Sequence, residues 1–255
     1  MNSSVLDDFL SEIGELYRFM LRFFREGFKP RYEFAEFFRQ CFNIGNKTLP
    51  LVAITGLIMG LVITIQSQPS LQAFGAESWL PSVVAVSLVR EIVPVITALI
   101  CAGKIGSSIG AELGSMKVTE QIDAMEVSGT NPFKYLVVTR VFAAILMIPL
   151  LIVLSDTIAL YGAFLGVNMK QVVSFHLFSN QVFESLSFGD VLPSIIKAFF
   201  FGFAIGIIGC FKGFSTTNGT QGVGRAANSS VVTSIFVVFI IDLMAAQIAD
   251  ILSIL

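Results

Sequence analysis

The run Tyr135–Asn168, YLVVTRVFAAILMIPLLIVLSDTIALYGAFLGVN, decides how the chain is built. Its 34 residues exceed the ~20 that one perpendicular helix needs to cross a bilayer. It is therefore either a hairpin of two crossings or one long helix. Lysine and arginine choose between these, because cytoplasmic connections carry the basic residues. Upstream, residues 1–47 hold seven of them, 67–79 none, and 103–134 hold Lys104, Lys117 and Lys134. Downstream, 169–190 hold only Lys170, 212–227 hold Lys212 and Arg225, and the C-terminal tail has none. With a single crossing the basic connections alternate cleanly, whereas a hairpin would put Lys212 and Arg225 outside. The chain reads as an all-α membrane protein with five spans, at about 48–66, 80–102, 135–168, 191–211 and 230–254. Its N-terminus is expected in the cytoplasm and its C-terminus outside.

Composition agrees. Of 255 residues, 55% are hydrophobic and 13% charged, against about 25% charged in an ordinary soluble domain. The surplus apolar surface has to face lipid. A net charge of −2 offers no basic field for nucleic acid. Cys41, Cys101 and Cys210 have no paired spacing and read as reduced packing residues. The only histidine, His176, has no cysteine or second histidine near it, so no metal site is expected. Asp7, Asp8, Glu12 and Glu15 stand where a secretory signal would be basic and then apolar. Pro50, Pro81 and Pro193 are expected to open spans, with the first span closing before Pro69. Pro94 and Pro149 fall inside spans, where they should kink the helix. Glycines four apart (Gly56 and Gly60, Gly106, Gly110 and Gly114, Gly162 and Gly166, Gly202 and Gly206) mark close helix packing, within a protomer or between protomers.

Residues 1–47 form a separate region. Leu6, Phe9, Leu10, Ile13, Tyr17, Met20, Phe24 and Phe28 recur at helical spacing, Pro30 interrupts, and Phe34, Phe37, Phe38 and Phe42 resume the pattern. No stretch here is long and uncharged enough to span. An amphipathic helix in the cytoplasmic interface, or an ordinary helix packed on the remainder, 48–255, fits the pattern.

A second polar stretch, 104–129, reads KIGSSIGAELGSMKVTEQIDAMEVSG. Val118, Ile122 and Met125 make one apolar stripe, and Glu120, Gln121, Asp123 and Glu126 fill the other faces. Gly129 supplies a left-handed stop and Pro132 forbids continuation. A short amphipathic helix over about 117–128, between spans two and three, is expected.

Charges also lie within the spans: Arg90 and Glu91 in the second, Lys197 in the fourth, Asp242 and Asp250 in the fifth. Each costs a few kcal/mol against lipid, so each should face protein, water or a head group. At 1.5 Å per residue, Arg90 sits roughly 15 Å below the outer end of its span, and Asp242 at a similar depth. An Arg90–Asp242 pair is geometrically possible, with Lys197 nearer the periplasmic end. The charges are either a polar lining or buried pairs that fix register. No G-x-x-x-x-G-K-[ST] phosphate loop is present. Gly219, Gly222 and Gly224 lack its lysine, so the chain should not hydrolyse ATP alone and no catalytic residue is expected.

Read continuously, Val89–Ala144, VREIVPVITALICAGKIGSSIGAELGSMKVTEQIDAMEVSGTNPFKYLVVTRVFAA, closely resembles the signature of the MlaE/YrbE permease family. Lys104, Ser115, Ser128 and Thr139 replace that signature's usual arginine, threonine, bulky residue and proline. The resemblance implies the permease subunit of an ABC system in a bacterial inner membrane, dimeric with a second copy of itself. It implies cytoplasmic ATPases that hold the ATP and Mg, and an MCE-domain protein on the periplasmic side. The cargo would be phospholipids or related lipids, moved in maintaining outer-membrane asymmetry. The short helix becomes a coupling helix, with Glu120, Gln121, Asp123 and Met125 toward the ATPase. Arg90, Glu91, Lys197 and Asp242 become substrate-binding candidates. An ion-coupled secondary transporter would use the same charges as a relay, but it predicts inverted repeats, and an odd five-span layout has none in view.

Overall fold

The structure, a computed structural model, describes residues 2–29, 33–170, 172–217 and 219–254. Pro30 and the break expected there lie outside the described residues, as do the side chains of Leu6 and Phe9. The helices are α1 Asn2–Gly27, α2 Phe34–Ala73, α3 Glu77–Val118, α4 Gln121–Val127, α5 Phe133–Asn168, α6 Phe175–Ser185, α7 Phe188–Phe214 and α8 Gly219–Ile254. Five of them, α2, α3, α5, α7 and α8, are long and apolar enough to cross a membrane. The deciding run is one unbroken helix, α5.

Hydropathy places the helix ends too close together. α2 passes from the amphipathic region straight into the first span, so there is no break at residue 47, and Pro50 and Pro69 lie inside it. Pro193 lies inside α7, which begins at Phe188, and α8 begins at Gly219 rather than near 230. Apolar runs mark only what hydrocarbon must cover, while helices continue beyond it as far as their backbone bonds are worth making. An interior proline costs about 3 kcal/mol, yet α2 runs through Pro50 with only Thr48 and Val52 buried beside it and Leu49 and Leu51 exposed. Pro81 does occupy a first turn, after a short 3₁₀ entry at Glu77–Trp79. Pro94 follows a π-helical turn, Leu88–Ile92, in which the Val93 amide donates to the Leu88 carbonyl five residues back.

The short helix α4 is also smaller than expected. Lys117 and Val118 still belong to α3, and Glu120 adopts a left-handed conformation (φ 58°) that breaks the helix before Gln121. The stop at Gly129 is left-handed as expected (φ 82°).

The chain folds as two compact units, residues 1–44, 102–144 and 203–236 in one, and 45–101, 145–202 and 237–255 in the other. In the first, α1 is anchored by Phe19 and Phe23. Phe19 stacks edge-on with Phe133 and Phe211, and Phe23 lies against Phe142 and Phe203. Leu10, Ile13, Tyr17, Leu21, Phe24 and Phe28 remain exposed on its other face, the amphipathic division that suits a helix at a lipid interface. Lys212 pairs with Glu12, and Glu26 is bonded by Lys29 and Asn131. The Lys29 ammonium holds the Glu26 carboxyl below the usual carboxylate range. Arg140, 1% exposed, reaches the Glu112 carboxylate at 2.8 Å and the Leu136 carbonyl at 3.0 Å.

In the second unit, α2 and α5 pack through their small residues. Cβ atoms added at Gly60 or Gly162 would overlap the carbonyl oxygens of Ala159 and Leu57. The glycine spacing therefore reports packing within the protomer here. Leu80, Val84 and Leu88 of α3, Ala159 and Ala163 of α5, and Phe178 and Val182 of α6 form a core.

Candidate functional site: a charged cluster beside an apolar cavity

Four helices of the second unit bring ionisable side chains together where hydrocarbon is expected. Lys197 on α7, 3% exposed, donates to Glu91 of α3 at 2.7 Å and to Asp242 of α8 at 2.9 Å. One ammonium thus joins three helices. Asp156 of α5 lies within electrostatic reach of Lys197, and its Oδ1 is buried without a hydrogen-bond partner. Arg90 pairs loosely with Asp190, Nη1 to Oδ1 3.7 Å, and its side chain stays 42% exposed. Asp190 in turn accepts from the amide and hydroxyl of Ser187 at the start of α7.

The sequence candidates Arg90, Glu91, Lys197 and Asp242 therefore meet in one cluster, but with different partners. The Arg90–Asp242 pair does not form. Successive helix residues point about 100° apart, so Arg90 and Glu91 address different neighbours, Asp190 and Lys197 respectively. Lys197 is level with Glu91 and Asp242, since it bonds both, rather than nearer the periplasmic end. Asp156 and Asp190 are additional members that sequence reasoning missed. Asp156 sits in mid-run within the stretch that decides the fold, and the depth argument used for Arg90 applies to it unchanged. Asp190 lies one residue before the apolar run that begins at 191, so hydropathy alone reads it as loop.

Beside the cluster, α7 and α8 flank a half-open cavity of about 360 Å³ lined by Leu192, Ile196, Phe200, Ile241, Met244 and neighbouring residues. Its wall is apolar except at Lys197. A small adjoining pocket reaches Arg90 and Glu91. A lipophilic chain fits the first space, and the second puts a guanidinium at its edge.

The coupling candidates lie elsewhere, in the first unit. Glu120, Gln121 and Asp123 are exposed, Met125 is half-buried, and Ile122 anchors α4 in the core. Asp123 pairs with Lys117 at 2.9 Å. Among the described residues, no group of three or more histidine, cysteine, aspartate or glutamate side chains could hold a metal. The three cysteines are buried and unpaired.

A sequence profile described as "Permease MlaE" matches residues 37–248. A probable ABC transporter permease of Rickettsia typhi is 39% identical over 219 residues, 86% of this chain and 85% of its own. One from Synechocystis is 38% identical over 197 residues, covering 77% and 75% of the two chains. The chloroplast protein TRIGALACTOSYLDIACYLGLYCEROL 1 of Arabidopsis thaliana is 32% identical over 209 residues, 82% of this chain and 60% of that one.

Proposed function

The chain belongs to the MlaE permease family, and from that premise we propose that it moves phospholipids or related lipids for an ABC transporter. In this reading it sits in a bacterial inner membrane as a homodimer, exchanging lipid with a periplasmic MCE-domain carrier in the upkeep of outer-membrane asymmetry. Separate cytoplasmic ATPases bind ATP and Mg and dock at α4, through Glu120, Gln121 and Asp123 with Met125 at the edge. The observation that carries the lipid reading is the apolar cavity with Lys197 in its wall and the Arg90 guanidinium in the small pocket beside it.

The geometry divides the roles. Lys197 is held by two carboxylates, so it positions Glu91 and Asp242 and ties α3, α7 and α8 together. Arg90 has only a loose partner and an exposed guanidinium, which suits it to a phosphate through two parallel N–H bonds. Acyl chains would lie against Ile196, Phe200 and Met244. Movement at α4 reaches Arg90 and Glu91 through α3, the helix that carries both.

One observation favours a second reading. The buried Asp156 carboxyl near Lys197, with its Oδ1 lacking a hydrogen-bond partner, is what a proton relay would use. Reconstitution with a cognate ATPase separates the two. The expected result is phospholipid transfer that needs ATP and the partner subunit, with Arg90→Ala lowering both copurified phospholipid and transfer while the complex stays assembled. Transfer driven by an ion gradient without the ATPase, or ATP hydrolysis by the isolated chain, would overturn the proposal.

A further inference from the structure

One surface of the second unit takes no part in the site. Two connections, one between α2 and α3 and one between α5 and α7, expose Phe74, Trp79, Val172, Phe175, Phe183 and Phe188. Two crossings, α3 and α5, separate these connections along the chain, so both lie on one side of the membrane. They are also packed together. Phe178 and Val182 on the inner face of α6 join the core beside Leu80 and Val84, and the Ser82 hydroxyl donates to the Gln181 carbonyl at 3.5 Å. The outer face of α6 carries Phe175 and Phe183, and no residue from Val172 to Gly189 other than Glu184 is an acid, a lysine or an arginine.

We propose that this surface is seated in the lipid interface, so that α6 lies along the edge of the bilayer rather than capping the protein in water. Three features converge on lipid as the occupant. Tryptophan gathers at the level of the head groups, and phenylalanine faces the acyl boundary on helices that lie in the interface. A docking face for a soluble protein carries a polar rim, often with charges placed to meet the partner's, whereas the two stretches here, 74–79 and 172–189, hold two carboxylates, Glu77 and Glu184, and no lysine or arginine. The surface also continues into the membrane without interruption. Phe188, 93% exposed, begins a stripe with Leu192, Ile196 and Phe200 at four-residue spacing, all of them exposed along the span α7.

This seating has a consequence for cargo, which rests on the lipid reading although the seating itself does not. Leu192 and Ile196 belong both to the exposed stripe and to the cavity wall. A lipid in the leaflet beneath α6 would therefore meet the cavity without passing through water.

Trp79 is the only tryptophan in the chain, so the unaltered protein reports on its own surface. It would be placed in phosphatidylcholine vesicles brominated near the top of the acyl chains, and separately in plain vesicles with iodide on both sides. The expected result is loss of most of the emission to bromine and little to iodide. A second variant, Trp79→Phe with Phe183→Trp, moves the reporter to an exposed position on α6 and should behave alike. Quenching of both positions by iodide and not by bromine would overturn the proposal. So would protection that appears only when another protein copurifies. Neither measurement requires transport, so failure of the seating and failure of the transport assignment are separate results.

Discussion

Lys197→Met is the most informative single change. Methionine keeps the length of the stem, so little cavity is created and the loss is that of the charge. Lys197 is 3% exposed and bonds Glu91 at 2.7 Å and Asp242 at 2.9 Å. Removing one partner of a buried ion pair costs about 3–5 kcal/mol, because the remaining charge is left unpaired. Here two carboxylates are left, but the Glu91 side chain is 41% exposed, so it is not locked into the vacated site and its share of the cost is smaller. The lower end, about 3 kcal/mol, is expected, equivalent to about 6–12 °C in melting temperature for a chain of this size. The triple variant Lys197→Met, Glu91→Gln, Asp242→Asn leaves no lone charge and should recover most of that loss. Arg90→Ala is the internal comparison. Its partner stands at 3.7 Å, beyond hydrogen-bond distance, so the melting temperature should fall much less than in Lys197→Met. Thermal unfolding in one detergent, followed by loss of the monodisperse peak, checks all three. A Lys197→Met protein that melts with the wild type, or a triple variant no more stable than the single, would refute the three-helix clasp.

Other expectations follow from the same contacts. Glu120→Lys with Asp123→Lys should abolish ATP-dependent transport while membrane insertion and melting temperature stay near wild type, since the Lys117–Asp123 pair is exposed and worth little; a transport assay beside the melt decides it. Gly60→Leu should prevent accumulation of folded protein, because its first side-chain atom would already meet the Ala159 carbonyl. Gly103→Ala, with nothing within 4 Å of the added atom, should accumulate normally on membrane fractionation. The Glu26 contact to Lys29 and Asn131 should hold above the ordinary carboxylate range and weaken as pH falls through the lowered Glu26 value. Hydrogen exchange in α1 and around Asn131 should rise in that acidic window, and Glu26→Gln should raise it at neutral pH.

Most of the architecture was legible because lipid imposes it. Span count and the single crossing of α5 followed from hydrophobic length and the placement of seven N-terminal and few later basic residues. The helix ends were not legible. Nothing in hydropathy says that α2 continues through Lys47 and Pro50, because a helix can run on after the hydrocarbon ends. Site membership was half legible. A charge within an apolar run announces itself, as Arg90, Glu91, Lys197 and Asp242 did. Which charge meets which depends on helix rotation: Glu91, one residue beyond Arg90, is the α3 side chain that meets the Lys197–Asp242 pair, and Arg90 turns to Asp190 instead. α1 shows the same limit. The apolar stripe named from the sequence is largely the exposed face, while the anchors Phe19 and Phe23 lie on the other.

The three π-helical turns among the described residues connect local strain to the matched motif. They occupy Leu88–Ile92, Ala102–Gly106 and Phe133–Val138, and all but one residue fall within the Val89–Ala144 stretch. A π turn is rare and locally less favourable than the α-helix it interrupts, so it persists where surrounding contacts require it and often marks a functional site. The first contains Arg90 and Glu91 and precedes Pro94, so one extra residue both accommodates the missing amide and sets the direction in which the two charges leave α3. The third precedes Arg140, whose buried guanidinium meets Glu112. Sequences that fold well are locally consistent almost everywhere, and departures concentrate where activity requires them. On that argument the motif encodes more than helix packing. It specifies where α3 and α5 leave regular geometry, and at both places a charged side chain inside the membrane protein is the feature being aimed.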